Sequence, residues 1–196
     1  MKALHFGAGN IGRGLIGYLL NKTGHRICFV DANQGLVDRI NSQQQYVIEL
    51  LDENHSQETV SPVKGLHTSA HGDIIDAIVE ADLITTSVGV ANLHRIAPIL
   101  SQGLLKRIKL NKPSIDVMAN ENTINASSKL KEEIRKIVSE KEMNELSSSV
   151  GFPNSAIDRL SLSEARVVGD VALVEPYYEW VINLSEMVNP DLPDKI

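Results

Sequence analysis

The sequence predicts an α/β fold, a doubly wound and mostly parallel sheet, and three of its features carry that prediction. Short apolar runs of strand character alternate with segments of helical periodicity through residues 2–140. Residues 2–31 contain a complete strand–helix–strand unit of the usual size. A glycine-rich turn, residues 7–14, joins the first strand to the first helix, as at the first βα junction of doubly wound sheets.

Local patterns predict the first two strands and helices. The stretches KALHF (2–6) and RICFVD (26–31) are short apolar runs of strand type. Between them, residues 11–24 place apolar side chains at helical spacing, and Gly24 supplies the stop. A second helix is expected over residues 33–42.

The middle of the chain continues the alternation after a small insertion. Residues 46–68 have the pattern of short strands with turns, which predicts a small antiparallel insertion. The segments beyond it alternate between helix and strand: helix 73–81, strand 82–89, helix 92–108, strand 114–122 and helix 124–140. Within the helix 92–108, Pro98 is expected to cause a kink or a break.

The pattern changes near residue 150. Residues 150–161 have a loop-like composition around a short apolar core, and residues 165–183 have the pattern of strands that extend the sheet region. The last segment, residues 185–196, is rich in Pro and Asp and lacks periodicity. It is therefore expected to be a linker.

Composition and charge exclude several classes of function. The chain has 196 residues, of which 42% are hydrophobic and 22% charged, as in an ordinary globular domain. Its formal net charge of −6 provides no basic field for nucleic acid or an anionic membrane. The single cysteine, Cys28, lies in an apolar run, which predicts an inert core thiol in a reducing compartment. Because signal-peptide and membrane-span patterns are lacking, we expect a cytoplasmic protein without nucleic-acid or membrane partners.

The glycine turn matches the G-x-G-x-x-G pattern, with Gly7, Gly9 and Gly12 at its three glycine positions. Such a match is weak alone, but here it follows a strand, opens a helix and precedes an acidic strand end at Asp31. We expect Gly7 to permit the tight turn, Gly9 to let the backbone approach a diphosphate, and Gly12 to let helix and strand pack closely. The predicted cofactor contacts in this turn are Gly7, Ala8, Gly9, Asn10, Ile11 and Gly12. Together these features predict the Rossmann type of sheet.

Asp31 is the expected anchor of the adenosine ribose. Its carboxylate can accept hydrogen bonds from both ribose hydroxyl groups and would repel a 2′-phosphate, which favours NAD over NADP. The alternative for Asp31 is a helix-capping role, for which the neighbouring Asn33 is also available. Asn33 is placed with Asp31 among the predicted cofactor contacts.

Two further strand ends are expected at the same edge of the sheet. Ligands bind at the carboxyl ends of parallel strands, so the segments TTSVG (85–89) and MANEN (118–122) would line the cofactor crevice. The alternative for the second segment is a polar loop that caps the next helix. The predicted contacts here are Ser87, Val88 and Gly89 beside the nicotinamide ribose, and Asn120, Glu121 and Asn122 towards the reacting end.

The stretches MKALHFGAGNIGRGLIG, TTSVG, ANEN, VGFPNSAIDR and YYEWVI occur in this order along nearly the whole chain. Together they resemble the N-terminal part of the mannitol-1-phosphate 5-dehydrogenases, which belong to the polyol-specific long-chain dehydrogenases/reductases. The resemblance implies NAD-dependent, metal-independent interconversion of D-mannitol 1-phosphate and D-fructose 6-phosphate. It implies that Asn122 polarises the carbonyl group or stabilises the alkoxide, as an amide N–H can. It also implies that Asp158 and Arg159 lie at the boundary of the substrate site, and the alternative for this pair is a salt bridge that holds the segment after the sheet.

Arg13, inside the glycine turn, is a further candidate for contact with the diphosphate or a substrate phosphate. Its alternative is an ion pair at a domain seam. The histidines His67 and His71 are four residues apart, but no third ligand converges on them clearly, so structural or surface roles and no metal site are expected. His94 is expected on a helix surface rather than in catalysis.

The sequence departs from the family in one respect. Members carry a catalytic lysine in a K-x4-N-x2-H pattern on a second, mostly helical domain, and here Lys106 and Asn111 are followed by Ser114 where a histidine is wanted. The expected organisation is a dinucleotide-binding domain over residues 1–184 and a linker over 185–196 towards a helical catalytic domain. The chain alone is expected to be inactive, as an expressed domain, a truncated product or a divergent protein. The alternatives are a related polyol or uronate oxidoreductase and a non-catalytic NAD-binding module.

Overall fold

Two small sheets accompany a central parallel sheet in the computed structural model, which describes residues 1–161 and 171–189. The strands up to residue 151 are β1 (Lys2–Phe6), β2 (Arg26–Asp31), β3 (Tyr46–Leu50), β4 (Gln57–Val60), β5 (Val63–His67), β6 (Leu83–Thr86), β7 (Ile115–Ala119) and β8 (Val150–Gly151). The central sheet has the order β5-β2-β1-β6-β7-β8, and all its strand pairs are parallel. Numbered among themselves, these strands run 3-2-1-4-5-6, the order of the Rossmann fold. The predicted fold class is confirmed.

Helices cover both faces of the central sheet. The first begins as a π-helical segment (Gly12–Gly17) and continues as α1 (Tyr18–Lys22). The others are α2 (Gln34–Gln43), α3 (His71–Glu80), α4 (Leu93–Lys109), α5 (Ala126–Arg135) and α6 (Glu140–Ser149), with short 3₁₀ turns at Val90–Asn92 and Leu184–Glu186. Among the described residues, no helix combines the length and the apolar character that crossing a membrane requires.

Neighbouring residues of a strand contribute to two separate apolar cores, one on each face. In β1, Ala3 packs with the first helix and the β3–β4 side, whereas Leu4 and Phe6 pack with α3, α4 and α5. Strands that are buried on both faces need continuous apolar runs rather than alternation. This requirement explains why the first two strands are so clear in the sequence.

The segment 46–68 contains the predicted insertion but also one strand of the main sheet. Strands β3 and β4 pair in antiparallel fashion, as expected. Strand β5 instead lies parallel to β2, with Val63 opposite Ile27. The assignment of residues 63–67 to the insertion is therefore wrong, because they form the third strand of the parallel sheet.

Two helix predictions need correction. The helix expected over 124–140 ends at Arg135, and a second helix begins after Ser139. The Ser139 hydroxyl oxygen accepts a hydrogen bond from the backbone N–H of Glu142, whose carboxylate accepts one from the Ser139 N–H, which is a capping box. Helix α4 continues through Pro98, so the break that was one expectation for this residue does not occur.

The strands predicted beyond residue 150 are present in the part of the chain that the structure describes. Strand β9 (Ser155–Asp158) pairs in antiparallel fashion with β11 (Glu179–Ile182), and β10 (Ala172–Val174) lies parallel to β3. The predicted strand residues 165–170 and the last seven residues of the expected linker fall outside the described residues.

The first residues of the expected linker are hydrogen-bonded to the central sheet. The buried Asp116 carboxylate, in β7, accepts hydrogen bonds from the backbone N–H groups of Val188 (2.9 Å) and Asn189 (3.1 Å). The Glu186 carboxylate accepts one from the Asn154 N–H at 2.7 Å. The division into a domain and a linker stays a prediction, and the chain is held in place as far as Asn189.

Candidate functional site

Two of the three motif glycines are required by close packing. Gly7 has φ +100°, and a Cβ there would lie 2.5 Å from the Ser87 carbonyl oxygen. A Cβ on Gly12 would collide with the Gly7 carbonyl oxygen and would lie 2.9 Å from Nε2 of His5. At Gly9 a Cβ would meet nothing within 4 Å, so this position faces open space. Gly7 is therefore required by the turn and Gly12 by packing, as the motif predicts, and the approach of a diphosphate to the open position at Gly9 stays a prediction.

The first helix presents backbone amides beside Gly9. The N–H of Arg13 donates to the Gly9 carbonyl oxygen at 2.9 Å. Amides that precede the first such bond have no helical carbonyl behind them and are available to an anion. The segment therefore offers N–H groups beside Gly9, where an anionic ligand can approach the protein backbone most closely.

The π-helical segment exposes carbonyl oxygens that side chains from elsewhere satisfy. The Tyr46 hydroxyl donates to the Arg13 carbonyl at 2.8 Å, and the Arg159 Nη1 donates to the Gly14 carbonyl at 2.7 Å. A side chain at Gly17 would lie 2.6 Å from the Tyr46 hydroxyl oxygen. The glycines of the segment therefore let the helix approach β3 and β10 closely.

Asp31 ties the end of β2 to the glycine turn. Its Oδ2 accepts a hydrogen bond from the Ala8 N–H at 2.7 Å, and its Oδ1 accepts one from the Asn33 N–H at 2.8 Å. A carboxylate oxygen accepts two hydrogen bonds, so lone pairs remain on both atoms. The Asn33 side chain accepts from the Leu36 N–H at 3.1 Å and so caps α2, the role it was also expected to fill.

Glu121 fixes the loop that follows β6. Its carboxylate, in a side chain 6% exposed, accepts hydrogen bonds from the Thr86 hydroxyl (2.8 Å) and from the backbone N–H groups of Val88 (3.0 Å) and Gly89 (2.7 Å). Gly89 has φ +86°, a conformation that favours glycine. Glu121 therefore shapes the cleft wall, and it binds the loop after β6 rather than capping the next helix, which was the alternative for this segment.

Asn120 and Asn122 differ in their surroundings. Asn120 is buried, and its Oδ1 accepts a hydrogen bond from the Ser155 hydroxyl at 2.7 Å. Asn122 is exposed at the cleft and has no hydrogen-bond partner within residues 1–161 and 171–189. Its amide is therefore available to a ligand.

These segments surround a cleft of about 1030 Å³ at the carboxyl edge of the sheet. We call it the sheet-edge cleft. Of the residues predicted to bind ligands, the cleft is lined by Gly9, Asn10, Ile11, Ser87, Gly89, Asn120, Glu121, Asn122, Asp158 and Arg159. Further lining comes from β9 and β11, so these two strands form part of the cleft wall together with the glycine turn.

The two arginines among the predicted substrate contacts, Arg13 and Arg159, are engaged by the backbone. Arg13 is buried, and its Nε donates to the Ala8 carbonyl at 2.8 Å. Arg159 is buried as well, and its Nε donates to the Glu175 carbonyl at 3.0 Å. Burial lowers the pKa of the Arg159 guanidinium, which lies 4.9 Å from the centre of the Tyr18 ring. Both guanidinium groups thus support the glycine turn and its helix.

Asp158, the third residue expected near the substrate, is exposed at the cleft. It lies in β9, opposite Glu179 of β11. None of its contacts with the described residues decides its role, and its part in substrate binding stays a prediction.

Sequence reasoning missed His5, which lies below the glycine turn. The ring is fully buried, with Nδ1 2.6 Å from the Thr85 hydroxyl and Nε2 2.8 Å from the Ser87 hydroxyl. Burial lowers the pKa of His5 to about 3, so the ring is neutral at physiological pH. The available signal was a histidine in an otherwise apolar strand, two residues before the first motif glycine.

A family model described as the mannitol dehydrogenase Rossmann domain matches residues 1–194. The chain belongs to this family. The match begins before the glycine turn and covers the cleft, β9 and β11.

Curated relatives of this chain support the same family. The chain is 42% identical over 195 residues to a mannitol-1-phosphate 5-dehydrogenase of Bacillus licheniformis, covering 98% of this chain and 52% of that protein. It is 43% identical over 190 residues to the enzyme of the same name from Caldanaerobacter subterraneus, covering 95% and 49%. The chain therefore spans about half the length of the curated relatives it matches.

Solved structures share the fold. A ternary complex of Pseudomonas fluorescens mannitol 2-dehydrogenase with NAD and D-mannitol superposes with a TM-score of 0.78, at 15% identity, over 93% of this chain and 49% of that one. A D-mandelate dehydrogenase complex with NADH gives a TM-score of 0.59, also at 15% identity, over 100% of this chain and 51% of that one. Similarity at this identity supports the architecture of the sheet.

Proposed function

We propose that this chain is the NAD-binding part of a mannitol-1-phosphate 5-dehydrogenase, which interconverts D-mannitol 1-phosphate and D-fructose 6-phosphate. The observation that carries the proposal is the 42% identity to such an enzyme over 98% of the chain, and the hydrogen bond between Asp31 and the glycine turn supports it. Because the chain spans about half of that relative, the activity is proposed for a whole protein that contains it.

The donor set fits NAD. The turn around Gly9 is open to a diphosphate, and helix amides lie beside it. Asp31 keeps lone pairs for ribose hydroxyl groups, and its negative charge opposes a 2′-phosphate. Gly9, Asn10 and Ile11 would therefore hold the diphosphate, and Asp31 the adenosine ribose.

The reacting end would lie where Ser87, Gly89 and Asn122 line the cleft. NAD, when bound, supplies the hydride acceptor or donor. The exposed amide of Asn122 would donate a hydrogen bond to the substrate oxygen, which carries developing negative charge as carbonyl and alcohol interconvert. Asn120 and Glu121 would hold the strand end and the β6 loop in place around it.

The general base is proposed to come from outside these 196 residues. Oxidation of a secondary alcohol requires removal of its hydroxyl proton by a positioned group whose pKa suits the working pH. The motif of the family's catalytic lysine is not matched at Lys106, Asn111 and Ser114. Lys106 is exposed and pairs with Asp76 at 2.8 Å. The chain alone is therefore expected to bind NAD without turning over substrate.

Calorimetric titration of the chain with NADH tests the cofactor site. Asp31→Ala should weaken NADH binding about tenfold or more, because hydrogen bonds to a charged acceptor are lost. Asp38→Ala is the matched control, since Asp38 is exposed on α2 and its carboxylate accepts from Gln34. Absence of NADH binding, or equal affinities for the two variants, would overturn the assignment.

A substrate panel tests the activity. A full-length protein containing this chain should reduce D-fructose 6-phosphate with NADH faster than unphosphorylated ketoses or uronates. The isolated chain should show no steady-state turnover with D-mannitol 1-phosphate and NAD. Turnover by the isolated chain would contradict the proposed position of the base, and preference for a uronate would contradict the proposed substrate.

A further inference from the structure

His5 is buried beneath the cleft and has no role in the function proposed so far. We propose that His5 is a positioning residue, which fixes the Ser87 hydroxyl at the cleft wall to contact the nicotinamide riboside half of a bound dinucleotide. The proposal rests on the proposed NAD binding and adds His5, which acts through Ser87.

Every side of the His5 ring is constrained. Its Nδ1 lies 2.6 Å from the Thr85 Oγ1 and its Nε2 lies 2.8 Å from the Ser87 Oγ, so both nitrogens are engaged by β6 and its loop. The Phe29 ring packs edge-on at 5.8 Å between centroids. Gly12 lies so close that a Cβ there would be 2.9 Å from Nε2. The ring therefore has one position, and the Ser87 hydroxyl is held by it.

The neutral state of His5 suits a positioning role and excludes proton transfer. Burial lowers its pKa to about 3, so near neutral pH one ring nitrogen donates a hydrogen bond and the other accepts one. A group with that pKa cannot serve as a base or acid poised near the working pH. In either tautomer the Ser87 oxygen keeps at least one lone pair for a ligand.

The topology places Ser87 on the nicotinamide side. Strand β1 lies between β2, which ends at Asp31, and β6, which Ser87 follows, so the two residues lie on opposite sides of the glycine turn. A dinucleotide in a doubly wound sheet lies across the carboxyl ends of the strands at this point. With the adenosine ribose at Asp31, the other half of the ligand lies beside Ser87, Gly89 and Asn122, all of which line the sheet-edge cleft.

The test compares NADH with ADP, which ends at the diphosphate and lacks the nicotinamide riboside. A glutamine amide can replace Nε2 of a histidine and an asparagine amide can replace Nδ1. His5→Gln therefore keeps the bond to Ser87, and His5→Asn loses it. Calorimetric dissociation constants are measured for the chain, for these two variants and for Ser87→Ala, with circular dichroism as the check on folding.

We expect Ser87→Ala and His5→Asn to weaken NADH binding about tenfold, which is ~1.4 kcal/mol, and to change ADP binding by less than about twofold. His5→Gln should restore NADH binding to within about twofold of the unsubstituted chain. An unchanged NADH affinity in Ser87→Ala, or equal losses for NADH and ADP, would overturn the proposal, and so would a His5→Gln variant as weak as His5→Asn. Where a His5 variant does not fold, an unchanged NADH affinity in Ser87→Ala still overturns the proposal. Failure of the unsubstituted chain to bind NADH would instead refute the proposed function.

Discussion

Acid should destabilise this fold through His5. The folded state holds the ring neutral, with burial lowering its pKa from 6.5 to about 3. In the unfolded chain the ring regains its ordinary pKa and binds a proton below about pH 6.5. Because the unfolded state then binds more protons than the folded state, the free energy of unfolding falls as the pH drops from about 6.5 towards 3. Above that window the contribution of His5 is constant.

The magnitude follows from the width of the window. Each pH unit between the two pKa values costs about 1.4 kcal/mol. Lowering the pH from about 7.5 to about 4.5 crosses roughly two units of the window, so the loss from His5 is about 2.7 kcal/mol. This is a large share of the ~5–15 kcal/mol by which typical domains are stable.

Urea denaturation of the chain and of His5→Gln at several pH values isolates this contribution. The variant removes the titrating ring, while His25, whose pKa burial also lowers, and the carboxylates remain in both proteins and cancel in the difference. The unsubstituted chain should lose about 2.7 kcal/mol relative to the variant over the stated range. A stability difference that does not change with pH would show that His5 titrates equally in both states, contrary to its burial in the structure.

Three further predictions follow from packing, capping and burial. Gly12→Ala should lower the free energy of unfolding by about 2–3 kcal/mol because its Cβ would meet backbone atoms, whereas Gly9→Ala should leave that free energy unchanged and weaken NADH binding. Thermal melts and titration with NADH distinguish the two variants. Equal melting temperatures would contradict the packing described for Gly12. Arg107→Leu should lower the free energy of unfolding, measured by urea denaturation, by about 3 kcal/mol. The Arg107 guanidinium donates hydrogen bonds to carbonyl groups at the end of α3 and to the Pro113 carbonyl, and the variant leaves these groups without a donor. Lys106→Ala, at an exposed ion pair, should lower the same free energy by less than about 1 kcal/mol. Cys28 is half-buried, and burial raises its pKa to about 11, so it should react slowly with a thiol reagent near pH 8 until the chain is unfolded. Rapid labelling of the folded chain would contradict the raised pKa.

Local patterns were sufficient wherever the structure depends on near neighbours in the chain. Strands β1 and β2 have the predicted bounds because both of their faces are buried and their apolar runs are continuous. Asn33 caps α2 as expected, since an N-cap depends on residues three positions away. The glycine turn and Asp31 also depend on near neighbours, because the βαβ unit that contains both places the end of β2 beside the turn after β1.

Long-range pairing set the limit of prediction. Residues 63–67 look like the neighbouring insertion strands, and their membership of the main sheet depends on pairing with β2, over thirty positions away. The engagement of Arg159 likewise depends on a distant partner, because its guanidinium donates to the carbonyl of Gly14 in the π-helical segment, 145 positions away, which the sequence pattern does not show. The boundary between α5 and α6, by contrast, was predictable from the sequence, because Ser139 and Glu142 have the spacing of a capping box.

The His5 contacts show why some site residues escape sequence reasoning. Thr85 and Ser87 are about eighty positions from His5 in the chain, and their strand becomes its neighbour when the sheet forms. A single histidine in an apolar run carries no spacing signal for such partners. Its position beside the glycine turn becomes informative once the strand order is known.

The central claim is that Asp31 and the glycine turn form an NAD site, and the comparison of NADH with NADPH on the unsubstituted chain tests it most directly. The carboxylate of Asp31 lies at the end of β2, where a 2′-phosphate would bring like charges together. NADH should therefore bind at least about tenfold more tightly than NADPH in calorimetric titrations at equal ionic strength. Equal affinities, tighter binding of NADPH, or no binding of NADH would contradict the account.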